Sequence, residues 1–75
     1  MKRIRIEYRV RETRPSQRPT WLTKRVQGQL FEDDLAEVLR QILDDAAAAY
    51  KKDRGTLSLR WRRLGLRGSG WATFP

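Results

Sequence analysis

The chain has 75 residues and carries 17 Lys or Arg against 9 Asp or Glu, a formal net charge of +8. A chain this short allows one domain with a modest core, because small chains bury a lower fraction of their surface. It contains neither cysteine nor histidine, which excludes disulfides and the usual structural zinc sites, so its fold has to be stabilised by apolar packing.

A strict alternation over residues 3–11 predicts the first strand. The side chains expected on its buried face are apolar: Ile4, Ile6, Tyr8 and Val10. The opposite face carries four arginines and is interrupted only by Glu7; these arginines are Arg3, Arg5, Arg9 and Arg11. The pattern therefore indicates a half-buried strand whose outer face is basic.

A flexible loop is predicted at about residues 13–19, where two prolines stand among small, polar and basic residues, including Arg14 and Arg18. This loop would separate the first strand from the second. Because prolines lack a backbone donor, the segment is a poor candidate for either a helix or a central strand.

The second strand is expected over residues 20–29, with Leu22 and Val26 facing the core. The side chains of the other parity would then face outward; they include Trp21, Thr23 and Arg25. A glycine within a strand often marks a bulge or the end of pairing, which is the expectation for Gly28.

A helix is predicted at about residues 33–52. Asp34 and Glu37 have the spacing of a capping box at its start, and Gly55 is the flexible residue that would follow its last turn. The apolar stripe expected to face the sheet recurs at three- and four-residue steps: Leu35, Val38, Leu39, Ile42, Ala46 and Ala49. On the solvated face, Asp44 is expected to pair with Arg40.

The last two strands are predicted at residues 56–64 and 71–74, paired as a hairpin. In the first of them the core positions are Leu57, Leu59 and Trp61. The chain is therefore expected to be a single α+β domain over residues 1–75, of order ββαββ, with one helix packed on one face of an antiparallel sheet.

Charge is unevenly distributed along the chain. Residues 1–30 hold nine Lys or Arg against two acids, residues 31–52 hold three against six, and residues 53–75 hold five against one. Thirteen of the 17 basic residues are Arg, whose forked guanidinium binds phosphate oxygens in a bidentate manner. The helix is thus acidic, and the open face of the sheet is basic.

Clustered arginine predicts nucleic-acid binding, of DNA or RNA, because release of condensed counterions favours contact with a phosphate backbone. The residues expected to make these contacts are basic, together with one tryptophan: Arg3, Arg5, Arg9, Arg11, Arg14, Arg18, Trp21, Lys24, Arg25, Arg60, Arg62 and Arg63. Trp21 or Trp71 could also stack on bases of a single strand.

Each of these features has a purely structural alternative. A tryptophan at either position could close the edge of a small core, and cationic residues on an exposed strand face protect a protein against aggregation. GC-rich coding would also favour Arg over Lys. Four of the acidic residues, Glu32, Asp33, Asp34 and Glu37, suit the N-terminal end of the helix dipole without any partner.

A second functional hypothesis is protein recognition. A small basic chain of this kind could be an accessory or inhibitor protein of a phage or mobile element, comparable to anti-CRISPR proteins, although no motif assigns it to such a family. Catalysis is not expected, because there is no histidine or cysteine and the serines lack a nucleophile signature. A compact ribonuclease using Arg, Lys and Glu is the residual enzymatic alternative.

No metal and no cofactor are expected. The side chains of adjacent acidic residues on the helix diverge by about 100°, so they do not form a ready metal site. The glycines of residues 65–70 precede no helix, so they do not form a phosphate-binding loop.

No apolar stretch approaches the length of about 20 residues that a membrane-spanning helix requires, and the lack of cysteine fits the cytoplasm. The protein would be a monomer, or a homodimer formed through a sheet edge.

Overall fold

A computed structural model describes residues 1–13, 18, 20–65, 67 and 70–75. These residues form five strands and one α-helix: β1 (Arg3–Glu12), β2 (Thr20–Trp21), β3 (Val26–Phe31), α1 (Leu35–Tyr50), β4 (Leu57–Arg63) and β5 (Ala72–Phe74). Short 3-10 turns precede α1 at Glu32–Asp34 and β4 at Arg54–Thr56.

The long strand β1 lies at the centre of an antiparallel sheet. Its residues from Arg3 to Tyr8 pair with β3, its last two residues pair with β2, and its other edge pairs with β4. Strand β5 then adds to the far side of β4 as the second half of a hairpin. Every pairing is antiparallel, and each pair between β1 and β4 joins an odd-numbered to an even-numbered residue, so the odd-numbered side chains of β1 share a face with the even-numbered side chains of β4.

Helix α1 packs against one face of this sheet, which confirms the predicted α+β class. The buried apolar side chains come from both layers: Ile4, Ile6, Val10, Leu39, Leu43, Ala46, Leu57 and Leu59. Tyr8 and Trp61, which are partners across β1 and β4, pack against this cluster from its edge. The other face of the sheet lies away from the helix, as the alternation predicts.

The predicted second strand is wrong in its details, since the chain forms two strands there instead of one. Strand β2 ends at Trp21, and β3 begins at Val26. Leu22 packs against the core as expected, whereas Val26 lies opposite Tyr8 but remains 37% exposed. Gly28 pairs with Ile6 in an uninterrupted register, so it marks neither a bulge nor an end of pairing.

Both ends of the helix lie within two residues of the predicted bounds, but neither end is capped as expected. Asp34 is the N-cap, but it has φ −95° and ψ 3° and its side chain makes no capping hydrogen bond. A capping side chain normally requires extended backbone at this residue, and Asp34 already belongs to the preceding 3-10 turn. At the other end Lys51, not Gly55, takes the left-handed conformation, with φ 54°.

The apolar stripe of α1 is rotated relative to the prediction. Leu39, Leu43 and Ala46 are its buried residues, whereas Ala49 is exposed. Leu43 was not among the predicted core positions, although its side chain is fully buried. The helix therefore rests on the sheet along the line from Leu39 to Ala46.

Candidate nucleic-acid interface

The face of the sheet away from α1 presents the odd-numbered residues of β1 and the even-numbered residues of β4. We call this surface the basic face and define it by Arg5, Glu7, Arg9, Arg11, Ser58, Arg60 and Arg62. Most of their neighbours along each strand belong to the core cluster or pack against it, and successive strand residues face opposite sides, so these side chains lie on the face away from α1. The predicted arginine row thus lies on one continuous surface.

Arg9 and Arg60 are direct partners across β1 and β4. Like charges in opposite positions of an antiparallel pair destabilise the sheet. In the described part of the chain, neither guanidinium has a carboxylate partner; Arg9 donates through Nε to the carbonyl oxygen of Thr23 at 3.4 Å. The centre of the basic face therefore holds positive charge that no carboxylate of the described residues neutralises.

Two further arginines of the basic face bind neutral groups. Arg5 donates through Nη2 to Oε1 of Gln27 at 3.1 Å, and Arg11 donates through Nε to Oγ of Ser58 at 3.0 Å. These hydrogen bonds orient the guanidinium groups but leave their charge uncompensated. Arg5, Arg9, Arg11 and Arg60 thus form a set of cations available to an external anion.

A concavity of about 250 Å³ opens on the basic face. It is lined by two indoles and three guanidinium groups, those of Arg9, Trp21, Arg25, Arg60 and Trp71. We call it the tryptophan pocket. Its residues come from β1, β2, β4 and the two segments that precede β3 and β5, so only the folded sheet brings them together.

Trp21 forms one side of the tryptophan pocket and is not a core residue. It is 39% exposed, and the guanidinium carbon of Arg9 lies 4.0 Å from its ring centroid. The guanidinium of Arg11, the strand partner of Trp21, lies 5.9 Å from the same ring. The contacts of this indole are thus cation–π contacts with the basic face.

Trp71 forms another part of the lining and is only partly exposed. The guanidinium carbons of Arg62 and Arg25 lie 4.9 and 5.6 Å from its ring centroid. Trp71 immediately precedes β5, whose pairing with β4 brings this ring next to the row of even-numbered arginines. Both tryptophans are therefore held by arginine on the same surface.

Glu7 is the residue of this site that sequence reasoning missed. Its side chain is 7% exposed; it accepts a hydrogen bond from Nη2 of Arg62 at 3.0 Å, and Nε of Arg25 lies 3.8 Å from its other oxygen. The same two arginines lie over Trp71. The signal was present in the sequence, since a single acid interrupts a row of arginines, but alternation alone does not reveal that it is buried.

The remaining predicted contact residues are dispersed. Arg3 lies at the start of β1, with its guanidinium carbon 5.3 Å from the Phe31 ring centroid. Lys24 and Arg18 are exposed outside the strands. Arg14 lies outside the described residues, as does most of the predicted loop at residues 13–19.

Arg63 does not join the basic face. It pairs with Ile6, which is a core residue, and so lies on the helix side of the sheet. There its Nη1 forms an ion pair with Oε2 of Glu32 at 3.1 Å. The parity that separates Arg62 from Arg63 was readable in the sequence, because adjacent strand residues face opposite sides.

The acidic residues are concentrated on the helix side of the molecule. Asp44 accepts a hydrogen bond from Nε of Arg54 at 2.9 Å, which replaces the predicted pair with Arg40. At the end of β1, Glu12 lies 3.3 Å from Nζ of Lys52. Carboxylates thus compensate cations on this side, whereas on the basic face Glu7 contacts only Arg25 and Arg62 among the described residues.

Replacing Glu7 with Gln is expected to lower the free energy of unfolding by about 1–2 kcal/mol, because two arginines lose a charged acceptor while water still reaches them in part. Urea unfolding followed by circular dichroism measures this change. The control is Glu32→Gln, which removes the exposed pair with Arg63 and is expected to cost under about 0.5 kcal/mol. Equal losses in the two variants would show that Glu7 has no special structural role.

Comparison with known protein families, with curated proteins and with solved structures gives no match for this chain. Among the residues that the structure describes, no helix has both the length and the apolar character needed to cross a membrane. The same residues contain no cluster of three or more acidic side chains able to hold a metal ion. The geometry of the basic face is therefore the basis for any functional assignment.

Proposed function

We propose that this protein binds nucleic acid through its basic face, as a binding module without catalytic activity. The observation that supports this most directly is the set of four arginines that lack a carboxylate partner among the described residues: Arg5, Arg9, Arg11 and Arg60. They share one face of a rigid sheet, at the spacing of alternate strand residues.

A phosphate backbone suits such a surface for two reasons. Guanidinium groups donate to phosphate oxygens in a forked geometry, and every phosphate that they neutralise releases condensed counterions. An anion in this position would also relieve the repulsion between Arg9 and Arg60, which face each other across two strands. The ligand would thereby supply negative charge to the four arginines for which the described residues provide no carboxylate partner.

Salt-dependent binding tests this proposal. We expect the wild-type protein to bind fluorescent DNA and RNA oligonucleotides, with a plot of log K against log salt concentration falling with a slope of about −3 if the four arginines each neutralise one phosphate. Affinity would then fall about 60-fold between 50 and 200 mM salt. Fluorescence anisotropy over this range measures both quantities.

Heparin, a polyanion without bases, is the comparison ligand. Binding of nucleic acid that exceeds binding of heparin at equal charge supports the proposal. Absence of binding to both DNA and RNA at low salt would contradict it and would favour a protein as the partner of the basic face. Equal binding to heparin and to every nucleic acid would also contradict it, because the basic face would then bind polyanions without specificity.

A further inference from the structure

We infer that the tryptophan pocket receives one unpaired nucleobase, so that the protein selects single strands over duplexes. This inference rests on the proposed function, because the basic face has to hold the backbone that delivers the base. It adds a ligand for a defined cavity, and it names the structural class of nucleic acid that the protein binds.

The dimensions of the tryptophan pocket suit a single planar ring system. Its volume of about 250 Å³ is below the roughly 300–1,000 Å³ of cavities that enclose drug-sized ligands. It is an open concavity on a sheet, so a base can enter while its sugar and phosphate remain outside. The phosphates would then lie over the surrounding arginines of the basic face.

The lining of the pocket has the chemistry that bases require. Unpaired bases stack on aromatic rings and on the planes of guanidinium groups. Two indoles and three guanidinium groups line this pocket, and the described residues contribute no carboxylate to its lining. Arg9 is already stacked 4.0 Å from the centroid of Trp21, so a base next to this pair extends an existing stack.

The pocket is also held in place before any ligand arrives. Glu7 accepts a hydrogen bond from Arg62 and forms a longer ion pair with Arg25, and both arginines lie over Trp71. The segment that follows Trp21 is bound to β1, because the backbone nitrogen of Leu22 donates to the carbonyl oxygen of Val10 and that of Val10 donates to Oγ1 of Thr23. Ordering the site on binding therefore costs little conformational entropy.

A duplex cannot use this pocket in the same way. Its bases are paired and stacked within the helix, so its outer surface offers phosphates and groove edges to a sheet face. Extruding a base from the duplex requires that the base be unpaired and unstacked first. Duplex DNA is therefore expected to bind by its phosphates alone, with the salt dependence of the basic face but without the contribution of stacking.

The experiment compares oligonucleotides of about 12 nucleotides that carry the same phosphates with and without bases. One is oligodeoxythymidine, the second has abasic sites at its central positions, and the third is a duplex of equal length. We expect oligodeoxythymidine to bind about 5- to 150-fold more tightly than its abasic counterpart, which is the range for loss of one stacked base. The slope of the salt dependence should be the same for both single strands.

Two variants test whether the tryptophan pocket causes the preference for intact over abasic strands. Trp21→Leu and Trp71→Leu are each expected to reduce the preference for intact over abasic strands while leaving the salt slope unchanged. Tyr50→Leu is the control, because Tyr50 is 43% exposed at the end of α1, on the other layer of the molecule. Circular dichroism of each variant separates loss of stacking from loss of folding.

The possible outcomes distinguish the inference from the proposed function. Equal affinity for intact and abasic strands, both with steep salt dependence, would overturn the base pocket and leave the basic face as the binding surface. Binding of duplex that matches or exceeds binding of single strands would overturn it as well. If no oligonucleotide binds, the proposed function fails, and the inference fails with it.

Discussion

Replacing Arg5, Arg9 and Arg60 together with Gln is expected to weaken binding of single-stranded oligonucleotides about 100- to 500-fold at 50 mM salt. Each lost phosphate contact removes about 0.7 from the magnitude of the salt slope for a single strand, so three lost contacts reduce it by about 2. The fold is expected to remain intact, because the described residues provide no carboxylate partner for any of the three. Fluorescence anisotropy over a range of salt concentrations measures the affinity and the slope.

The control is a second triple variant with the same net charge. Replacing Arg40, Lys51 and Lys52 with Gln also removes three cations, but from α1 and the residues that follow it. If binding occurs at the basic face, this control changes the affinity only a few-fold through long-range attraction. Equal losses in the two triple variants would show that net charge, and no particular surface, determines the affinity.

The layers of the fold were predictable because both periodicities in the sequence are strong. Alternation in β1 and β4 and the three-to-four spacing in α1 each define one apolar face, and burying those faces against each other leaves few arrangements. The same alternation placed Arg9 and Arg60 on the outer surface before their pairing was known. Their direct opposition depends on register, which the turns and the whole sheet determine.

The tryptophan pocket was only half predictable. Its members are far apart in sequence, and Trp21 was open to interpretation as a residue closing the core. The position of Trp21 depends on the break between β2 and β3. Because of this break, β2 pairs with the end of β1, where Arg11 lies opposite Trp21. Trp71 reaches the same surface only because β5 adds to the edge of β4. Such long-range placement carries no local signal in the sequence.

The burial of Glu7 and of Leu43 was missed for different reasons. Glu7 has the parity of an exposed residue, and it becomes buried because Arg62 and Arg25 cover it from neighbouring segments. Leu43 follows Leu39 by four residues, but the predicted stripe included the neighbouring Ile42 and not Leu43. The packing of side chains determines the line along which a helix contacts a twisted sheet. The periodicity of the sequence predicts this line only to within about one residue.

Leu43→Ala is accordingly expected to destabilise the protein by about 2–5 kcal/mol. Leu43 is fully buried, and a domain of this length has a total stability of only about 4–11 kcal/mol at 0.05–0.15 kcal/mol per residue. The loss would therefore remove a large part of the stability, because the cavity lies where α1 meets the sheet. Urea unfolding followed by far-UV circular dichroism measures it, with an unchanged dependence on denaturant if the transition remains two-state.

Val38→Ala is the matched control, since Val38 belongs to the same helix but is only half-buried and is not part of the core cluster. It is expected to cost less than about 1 kcal/mol. A cost as large as that of Leu43→Ala would show that the helix packs along a different line. Because Leu43 and the basic face lie on opposite sides of the sheet, Leu43→Ala should lower nucleic-acid affinity only in proportion to the unfolded fraction. A larger loss of affinity in the folded variant would mean that the helix layer itself takes part in binding.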